Sequence, residues 1–405
     1  GNIIANVQAM SSSSGTAGIE VGGTVTSGLV ELNKISTVYN RSAGTFGATG
    51  LNVAAGTAVT VRNNFISGVN MNMAGGGAFS TTFGLHGLKI SGGTGHKVYH
   101  NSVNLFGSLL GAANSSILSS AFTVVGTGQT GMDVRNNAFQ NILTGGTTSI
   151  AHVAAYLPTA GTSAMNLTLN NNVYYYGQDV ARQGVGQAGT TAGTNFFITL
   201  TAFKAYSSTL SVAATNDNSS IATSFPAPFT SSSDLHIPPA TLTQLESGGA
   251  AIGVGTDIDG DARNATTPDI GADEFTGVAG DPEPPLIVYT PLTNTELTTN
   301  RTLSTTITDT TGVPTAGAGL PVIYYRKGVS GAYAANACVF IAGSAYDCTV
   351  DYALVTGGSV TGGDVIQYYV AAQDITNNVS TNPLTGAGGF TANPPAAATP
   401  PTTPA

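Results

Sequence analysis

The chain has 405 residues, of which 12 are Lys or Arg and 21 are Asp or Glu, so only 8% are charged. Soluble proteins average roughly 25%, and helical bundles need Glu, Lys and Arg on their exposed faces. The hydrophobic fraction of 41% is high enough to build a core, which excludes a disordered chain. Ser, Thr, Asn and Gly must therefore form the polar surface, and these residues favour strands and turns.

The formal net charge of -9 bears on the partners of the chain. Nucleic-acid-binding proteins gain much of their affinity from clustered Lys and Arg, so we predict no nucleic-acid partner. The sequence also lacks a run of 18 or more apolar residues. We therefore predict no membrane span.

A short unit recurs in the first half of the chain, in which an apolar residue precedes a variable residue and two polar residues that usually include Asn. Its copies are VYNRSA from Val38, VRNNFI from Val61, VYHNSV from Val98, VRNNAF from Val134 and LNNNVY from Leu169. When the copies are aligned with the opening segment GNIIANV, one polar position is occupied in turn by Asn2, Arg41, Asn64, Asn101, Asn137 and Asn172. Successive residues of this set are 39, 23, 37, 36 and 35 positions apart. We interpret 23 residues as one coil, and the longer spacings as one coil with an enlarged loop or as a coil and a half. Such repetition predicts an all-β fold that begins with a right-handed parallel β-helix.

Equivalent residues of successive coils lie above one another at roughly the strand separation of 4.8 Å. The alignment predicts two inward apolar stacks: Val38, Val61, Val98, Val134 and Leu169, and Ile4, Ile66, Val103, Phe139 and Tyr174. It also predicts two Asn-rich columns: Asn40, Asn63, His100, Asn136 and Asn171, and Asn64, Asn101, Asn137 and Asn172. Stacking explains the low charge, because a column of identical charges would repel itself.

One outward column of the unit alternates aromatic and guanidinium side chains. Its members are Tyr39, Arg62, Tyr99, Arg135 and Asn170. We predict that Tyr39, Arg62, Tyr99 and Arg135 form a contact surface for glycans or a partner chain, because such groups stack on sugars and on each other. The alternative is that these residues only fill a solenoid wall.

After Tyr176 the repeat weakens, and residues 200–207 (LTAFKAYS) predict a helix. Residues 277–285 have the composition of a linker, and residues 392–405 form a Pro-rich tail or linker. Between them, residues 286–391 alternate strands with turns, which predicts a β-sandwich. Within it, Cys338 and Cys348 flank a strand, a Gly-Ser turn and a second strand. This pattern favours a hairpin disulfide and an oxidising, extracellular setting, with two reduced buried cysteines as the alternative.

The VYHNSV and VRNNAF units, followed by SDLHI, DIDGDAR and PDIGADEF, carry a family resemblance. Residues 1–276 resemble the right-handed parallel β-helix regions of very large Bacteroidota-type surface proteins exported by the type IX system. The segment from PPLIVYT onwards is similar to the immunoglobulin-like modules that often follow such a helix. The resemblance implies a secreted cell-surface, adhesive or filament-forming role, with the protein itself or neighbouring domains as partners. Since the chain starts within a repeat, we expect it to be part of a longer polypeptide.

Six carboxylates lie between Asp257 and Glu274. Calcium takes six to eight oxygen ligands, and the candidate calcium set is Asp257, Asp259, Asp261, Asp269 and Asp273. The match to an EF-hand loop is poor, because no Glu occupies the twelfth position. The alternative is that these carboxylates pair with Arg263 and cap the last coil. No other cofactor is predicted.

The same scarcity of charge bears on catalysis. Parallel β-helices include polysaccharide lyases and glycosidases, and the glycosidases need two carboxylates about 5 to 9 Å apart. The first 250 residues contain only seven carboxylates, and none aligns as a pair in one column. His96 and His100 have no Cys or carboxylate beside them to complete a zinc site, and we interpret His236 as structural. We therefore predict a non-enzymatic structural or adhesive protein, with a carbohydrate-binding or lyase-like β-helix as the alternative.

Overall fold

The computed structural model describes residues 1–10, 15–42, 46–74, 77–109 and 116–383. The chain divides into two compact units, Gly1–Gly280 and Asp281–Ala405. The Pro-rich segment predicted at 392–405 lies outside the described residues. Within them, no helix is long and apolar enough to cross a membrane.

Among the described residues of the first unit, the regular elements are strands apart from one α-helix and one 3-10 helix (Ser163–Met165). In chain order its elements are β1 (Ile3–Ala9), β2 (Thr16–Val21), β3 (Leu29–Glu31), β4 (Lys34–Asn40), β5 (Ala48–Val53), β6 (Thr60–Arg62), β7 (Phe65–Met71), β8 (Leu85–Ile90), β9 (Lys97–Tyr99), β10 (Ser102–Leu105), β11 (Ser108–Leu109), β12 (Ile117–Val124), β13 (Asp133–Arg135), β14 (Ala138–Asn141), β15 (Thr144–Gly145), β16 (Ile150–Leu157), β17 (Thr168–Asn170), β18 (Val173–Tyr176), β19 (Gln183–Ala188), β20 (Phe196–Phe197), α1 (Leu200–Ser208), β21 (Ile221–Thr223), β22 (Leu242–Thr243) and β23 (Val278–Ala279).

Three parallel sheets wind these strands into a solenoid. Sheet 1 joins β1, β4, β7, β10, β14, β18 and β21, and sheet 3 joins β3, β6, β9, β13 and β17. Sheet 2 joins β2, β5, β8, β12, β16 and β19, with β20 added antiparallel at its end. Each of the first five coils contributes one strand to each of these sheets, and β11 and β15 form a separate parallel pair. The predicted parallel β-solenoid is confirmed.

A ladder of asparagines fixes the register of the coils at the bend between sheets 3 and 1. Its members are Asn2, Asn33, Asn64, Asn101, Asn137 and Asn172. Each side-chain amide donates to Oδ1 of the next Asn, at 2.9, 2.8, 2.9, 2.9 and 2.9 Å. The same Oδ1 also accepts the backbone N–H of the preceding Asn. The ladder therefore satisfies amide groups that would otherwise be buried without partners.

The alignment of the repeats was wrong for one copy. VELNKI, and not VYNRSA, supplies the second coil, so Asn33 lies in the ladder in place of Arg41. β3 pairs Val30 with Val61 and Glu31 with Arg62. The residues wrongly assigned to these columns are Val38, Tyr39, Asn40 and Arg41, which end or follow β4 and pair with β1 and β7. The true ladder spacings are 31, 31, 37, 36 and 35 residues, so every step is one coil.

Apolar stacks fill the solenoid interior. The first runs through Val30, Val61, Val98, Val134 and Leu169. The second runs through Ile4, Ile35, Ile66, Val103, Phe139 and Tyr174. The second stack is confirmed with Ile35 added, and the first with Val30 in place of Val38.

The helix α1 covers the end of the solenoid beside β18 and β19, where the sequence predicts it. Thr199 caps its first turn by accepting a hydrogen bond from the Ala202 N–H. The buried Phe203 ring contacts Tyr174 edge-on, with centroids 5.5 Å apart. In the following turn, the buried Asp217 accepts hydrogen bonds from the Tyr174 and Ser207 hydroxyls, both at 2.8 Å. Burial raises the pKa of Asp217 to about 6.

The second unit contains β24 (Leu286–Tyr289), β25 (Arg301–Thr308), β26 (Val322–Lys327), β27 (Ala334–Ala337), β28 (Val339–Ala342), β29 (Ala345–Val350), β30 (Ile366–Gln373) and β31 (Val379–Asn382). They form two antiparallel sheets with the orders β24-β25-β29-β28 and β27-β26-β30-β31. One buried core joins both sheets, with Leu303 and Tyr346 from the first and Ile323 and Val370 from the second. The predicted disulfide is confirmed, since Cys338 and Cys348 are bonded across the β28–β29 hairpin.

We expect Asn101→Ala to destabilise the solenoid by at least about 3 kcal/mol, because it removes a side chain whose buried partners lose their hydrogen bonds. These partners are the Asn64 N–H and amide, the Val61 and Tyr99 carbonyls and the Asn137 Oδ1. Urea unfolding with hydrogen exchange of the coil amides measures the effect. The exposed Asn218→Ala is the control and should stay within about 0.5 kcal/mol of the parent. Equal stability of the two variants would refute a supporting role for the ladder.

We expect the contribution of Asp217 to the stability of the solenoid end that α1 covers to decrease as the pH rises. Its folded-state pKa of about 6 lies above the ordinary value of 3.8, so the folded protein binds this proton more tightly than the unfolded chain. The resulting stabilisation is complete below about pH 4 and is lost as the pH rises to about 6, by about 3 kcal/mol. Asp217→Asn should remove this part of the pH dependence in urea unfolding, whereas the exposed Asp261→Asn should keep it. A parental pH profile in Asp217→Asn would contradict the assignment.

Candidate functional site

The outer wall of sheet 3 carries three of the predicted contact residues. Its column contains Glu31, Arg62, Tyr99, Arg135 and Asn170. Glu31 takes the place predicted for Tyr39, which lies on sheet 1 with the Arg41 guanidinium 4.9 Å from its ring centroid. The structure therefore brings Arg62, Tyr99 and Arg135 together and separates Tyr39 from them.

Both arginines of this wall are paired with carboxylates. Arg62 Nε contacts Glu31 Oε2 at 2.7 Å, and Arg135 forms a two-pronged ion pair with Asp133. The Tyr99 hydroxyl donates to Asp133 Oδ2 at 2.6 Å, and only 6% of Tyr99 is exposed. Burial and the bond to Asp133 raise the pKa of Tyr99 to about 12. Tyr99 therefore offers little open ring surface.

A second feature is a long irregular segment, residues 224–277, which we call the strap. It lies along the outside of the solenoid. In successive coils it contacts the residue that comes directly before the ladder Asn, and this residue has a positive φ of 50° to 61°. The bonds join Asn63 Nδ2 to the Thr256 carbonyl, His100 Nδ1 to the Asp269 carbonyl, Asn136 Nδ2 to the Ala250 carbonyl and Asn171 Nδ2 to the Gly248 carbonyl, at 2.7, 3.1, 2.7 and 3.2 Å. Side chains of the first predicted Asn-rich column therefore anchor the strap, with Leu32 in the place predicted for Asn40.

The strap also buries the outer face of sheet 1. Its apolar side chains form clusters with outward residues of that sheet, separate from the solenoid interior: Ala227, Leu235, Ile237, Leu245, Ile258, Ile270 and Ala272 from the strap, and Phe65, Ala138, Val173 and Tyr175 from the sheet. The acidic segment was predicted as a cap for the last coil. This was wrong, because the segment lies along the flank and α1 covers the end.

Two of the candidate calcium ligands hold the strap in shape. Asp257 is 1% exposed, and its Oδ1 accepts the N–H groups of Asp259, Gly260 and Asp261 at 2.9, 2.9 and 2.8 Å. Asp269 accepts the N–H groups of Ser247 and Phe275 through its two oxygens, at 2.7 and 2.8 Å. Burial raises the pKa of Asp269 to about 7. Both carboxylates therefore accept N–H groups of the strap in place of backbone carbonyls. Calcium binding by the full set of five carboxylates stays a prediction.

Arg263 is the buried charge at the centre of the strap. Its side chain is 1% exposed, and its Nη1 lies 2.9 Å from Glu274 Oε2. Its Nη2 donates to Asn63 Oδ1 and to the Gly271 carbonyl, each at 3.0 Å. The predicted pairing of Arg263 with this acidic segment is thus made through Glu274, and it ties the strap to the solenoid.

His100 must be neutral in its place between strap and solenoid. Its Nε2 receives the Asn136 amide at 2.9 Å, so its Nδ1 carries the proton donated to the Asp269 carbonyl. Burial lowers the pKa of His100 well below its ordinary range, consistent with this tautomer. Neither His96 nor His100 offers a free ring to a zinc ion, because both rings bond backbone groups.

The sequence interpretation missed a cluster around His236. Nδ1 of this ring bonds Asp234, and Nε2 lies 2.6 Å from Asp259 Oδ2. Asp273 completes a group whose ligand atoms with His236 and Asp259 all lie within 4.8 Å of one another. Burial opposes the charged ring, but hydrogen bonds to Asp234 and Asp259 raise the pKa of His236. The signal was present in the sequence, since SDLHI, DIDGD and PDIGADEF each contribute to this cluster.

A second acidic cluster lies in the second unit, where Asp281, Asp309 and Asp374 bring one oxygen each within 4.8 Å of the others. Asp374 accepts the Thr376 and Asn378 N–H groups, each at 2.8 Å. Asp309 accepts from the Thr311 N–H and hydroxyl, also at 2.8 Å. Burial raises the pKa of Asp309 to about 6. These bonds give Asp309 and Asp374 a role in shaping turns.

Comparisons with known proteins do not extend this description. A scan against protein-family models found no matching family, and a search of curated proteins found no matching sequence. The function must therefore be argued from the geometry.

We expect Arg263→Ala to loosen the strap and to destabilise the first unit by about 3 to 5 kcal/mol, because it leaves the partly buried Glu274 without its partner. The control is Arg182→Ala, which removes an exposed ion pair with Asp179 and should change stability by about 0 to 1 kcal/mol. Urea unfolding measures both, and limited proteolysis reports cleavage within 224–277. An unchanged cleavage rate in Arg263→Ala would show that Arg263 does not hold the strap in place.

Proposed function

We propose that the protein is a secreted cell-surface structural or adhesive protein that acts through protein-protein or surface contacts, without catalysis. In this proposal the solenoid is a right-handed parallel β-helix that serves as a stiff spacer, and the following unit is an immunoglobulin-like module. From the resemblance of SDLHI, DIDGDAR and PDIGADEF we further propose a place among the Bacteroidota-type surface proteins exported by the type IX system. The observation that carries the proposal is the unbroken ladder from Asn2 to Asn172, which ties each coil to the next.

Two further observations support this role. The bonded Cys338 and Cys348 favour an oxidising, extracellular setting. Arg62 and Arg135 on the wall of sheet 3 are ion-paired, and the strap covers much of the outer face of sheet 1, so these surfaces present few unpaired charges to be desolvated when the solenoid meets another surface.

The first coil is a candidate contact surface between chains. Among the described residues, β1, β2 and β3 each pair on one side only. Their free strand edges are templates for further pairing, and exposed apolar side chains accompany them, with Ile3 83% and Leu29 51% exposed. We propose that this edge receives another coil, from a second copy or from a neighbouring domain.

Glycan binding or cleavage is the alternative function, and it has less support. The wall with Arg62, Tyr99 and Arg135 lacks an open aromatic ring, because Tyr99 is buried and bonded to Asp133. Arg62 and Arg135 are also paired with Glu31 and Asp133. A sugar would have to displace these ion pairs before it could be bound.

The test is sedimentation velocity of the full chain over a wide concentration range, with electron microscopy of the associated material. We expect reversible association, and Ile3→Lys with Leu29→Lys should weaken it at least about tenfold, or about 1.4 kcal/mol. Val212→Lys is the matched control, since Val212 is 71% exposed at the opposite end of the solenoid. A parent chain that stays monomeric at high concentration, or equal effects of both variants, would remove the edge-contact model. Glycan-array binding lost in Arg135→Ala would favour the alternative.

A further inference from the structure

The cluster around His236 has the composition of a transition-metal site. It combines one imidazole nitrogen with the carboxylates of Asp259 and Asp273, whose ligand atoms lie within 4.8 Å of each other. Calcium and magnesium prefer oxygen alone, whereas an imidazole with carboxylates suits zinc and its neighbours. A tetrahedral zinc ion sets its ligand atoms about 3.4 Å apart, so small side-chain movements would close the group around the ion.

The surroundings fix the direction in which His236 points. Asp234 bonds Nδ1, which leaves Nε2 directed towards Asp259. The Phe65 ring packs edge-on against the imidazole, with centroids 4.8 Å apart. A carboxylate on the far nitrogen of a metal-binding histidine is the usual orienting group in zinc proteins. Asp234 therefore has the place of a positioning residue.

The two carboxylates are also positioned by the backbone. Asp259 lies in the turn built by Asp257, which accepts three successive N–H groups. Asp273 is 8% exposed and is held by the Ile237 N–H at 2.8 Å. The side chains of His236 and Asp259 are 30% and 44% exposed, so an ion can reach them from solvent.

From this geometry we propose that His236, Asp259 and Asp273 bind one divalent zinc ion, with Asp234 orienting the imidazole. Lys34 is the competing cation, because its Nζ lies 3.1 Å from Asp259 Oδ1. The ion would join SDLHI, DIDGD and PDIGADEF at the point where the strap meets the coil of Lys34 and Phe65. It would therefore fasten the strap at its contact nearest to the first coil. Three protein ligands leave one position open to solvent or to a side chain of a contacting molecule.

The experiment is calorimetric titration of the full chain with zinc chloride at about pH 7.5, after treatment with a chelator. We expect one zinc ion per chain, loss of binding in His236→Gln, and binding at least about tenfold weaker in Asp234→Asn. Lys34→Met should bind zinc more tightly than the parent. Asp179→Asn is the control, since it removes an exposed carboxylate outside every candidate metal site, and it should bind like the parent.

Cobalt(II) supplies a readout that separates ligation from folding. The parent loaded with cobalt should show the visible absorption of a nitrogen-containing site of low coordination number. This band should be absent in His236→Gln and altered in Asp234→Asn, with both variants showing the circular dichroism of the parent. Parental zinc binding in His236→Gln, equal losses in His236→Gln and Asp179→Asn, or stronger binding of calcium than of zinc would each overturn the proposal. None of these outcomes depends on whether the chain associates through its first coil.

Discussion

The hydrogen bond from one ladder asparagine to the next is the interaction on which the fold depends. At the bends between sheets 3 and 1, a residue with positive φ turns the chain. The Asn that follows it provides hydrogen-bond partners for buried amide groups that the turn leaves without one. Because the same side chain bonds both its own coil and the next, local turn chemistry and long-range register are set together. The apolar stacks then follow, since equivalent Val, Ile and aromatic residues are brought above one another.

The scarcity of charge is a consequence of this architecture in two ways. Stacked coils disfavour columns of like charge, and the strap covers a face that would otherwise require polar residues. The carboxylates of the strap serve its own backbone, as the bonds of Asp257 and Asp269 show. Acidic residues in this segment are therefore mainly internal turn builders, and Asp259 in the cluster at His236 keeps a carboxylate that is open to solvent.

The solenoid could be predicted because its information is periodic. The ladder, the second apolar stack, the helix after Thr199 and the hairpin disulfide all follow from local patterns. The second coil was misaligned because Leu32 occupies the position where later coils have Asn or His, so that VYNRSA resembled the unit better than VELNKI. The strap could not be placed, since its contacts join residues as distant as Lys34 and Asp259, and no repeat encodes where an irregular segment lies.

The strap has a consequence for how such a chain can change its length. Its bonds to Asn63, Asn136 and Asn171 reach three different coils at fixed places along its own sequence. Inserting or deleting a coil between these anchors would move every later anchor by one strand separation, roughly 4.8 Å, and break its match with the strap. The strap therefore fixes the number of coils between Asn63 and Asn171, and a change in the number of coils is compatible with these bonds only outside that interval.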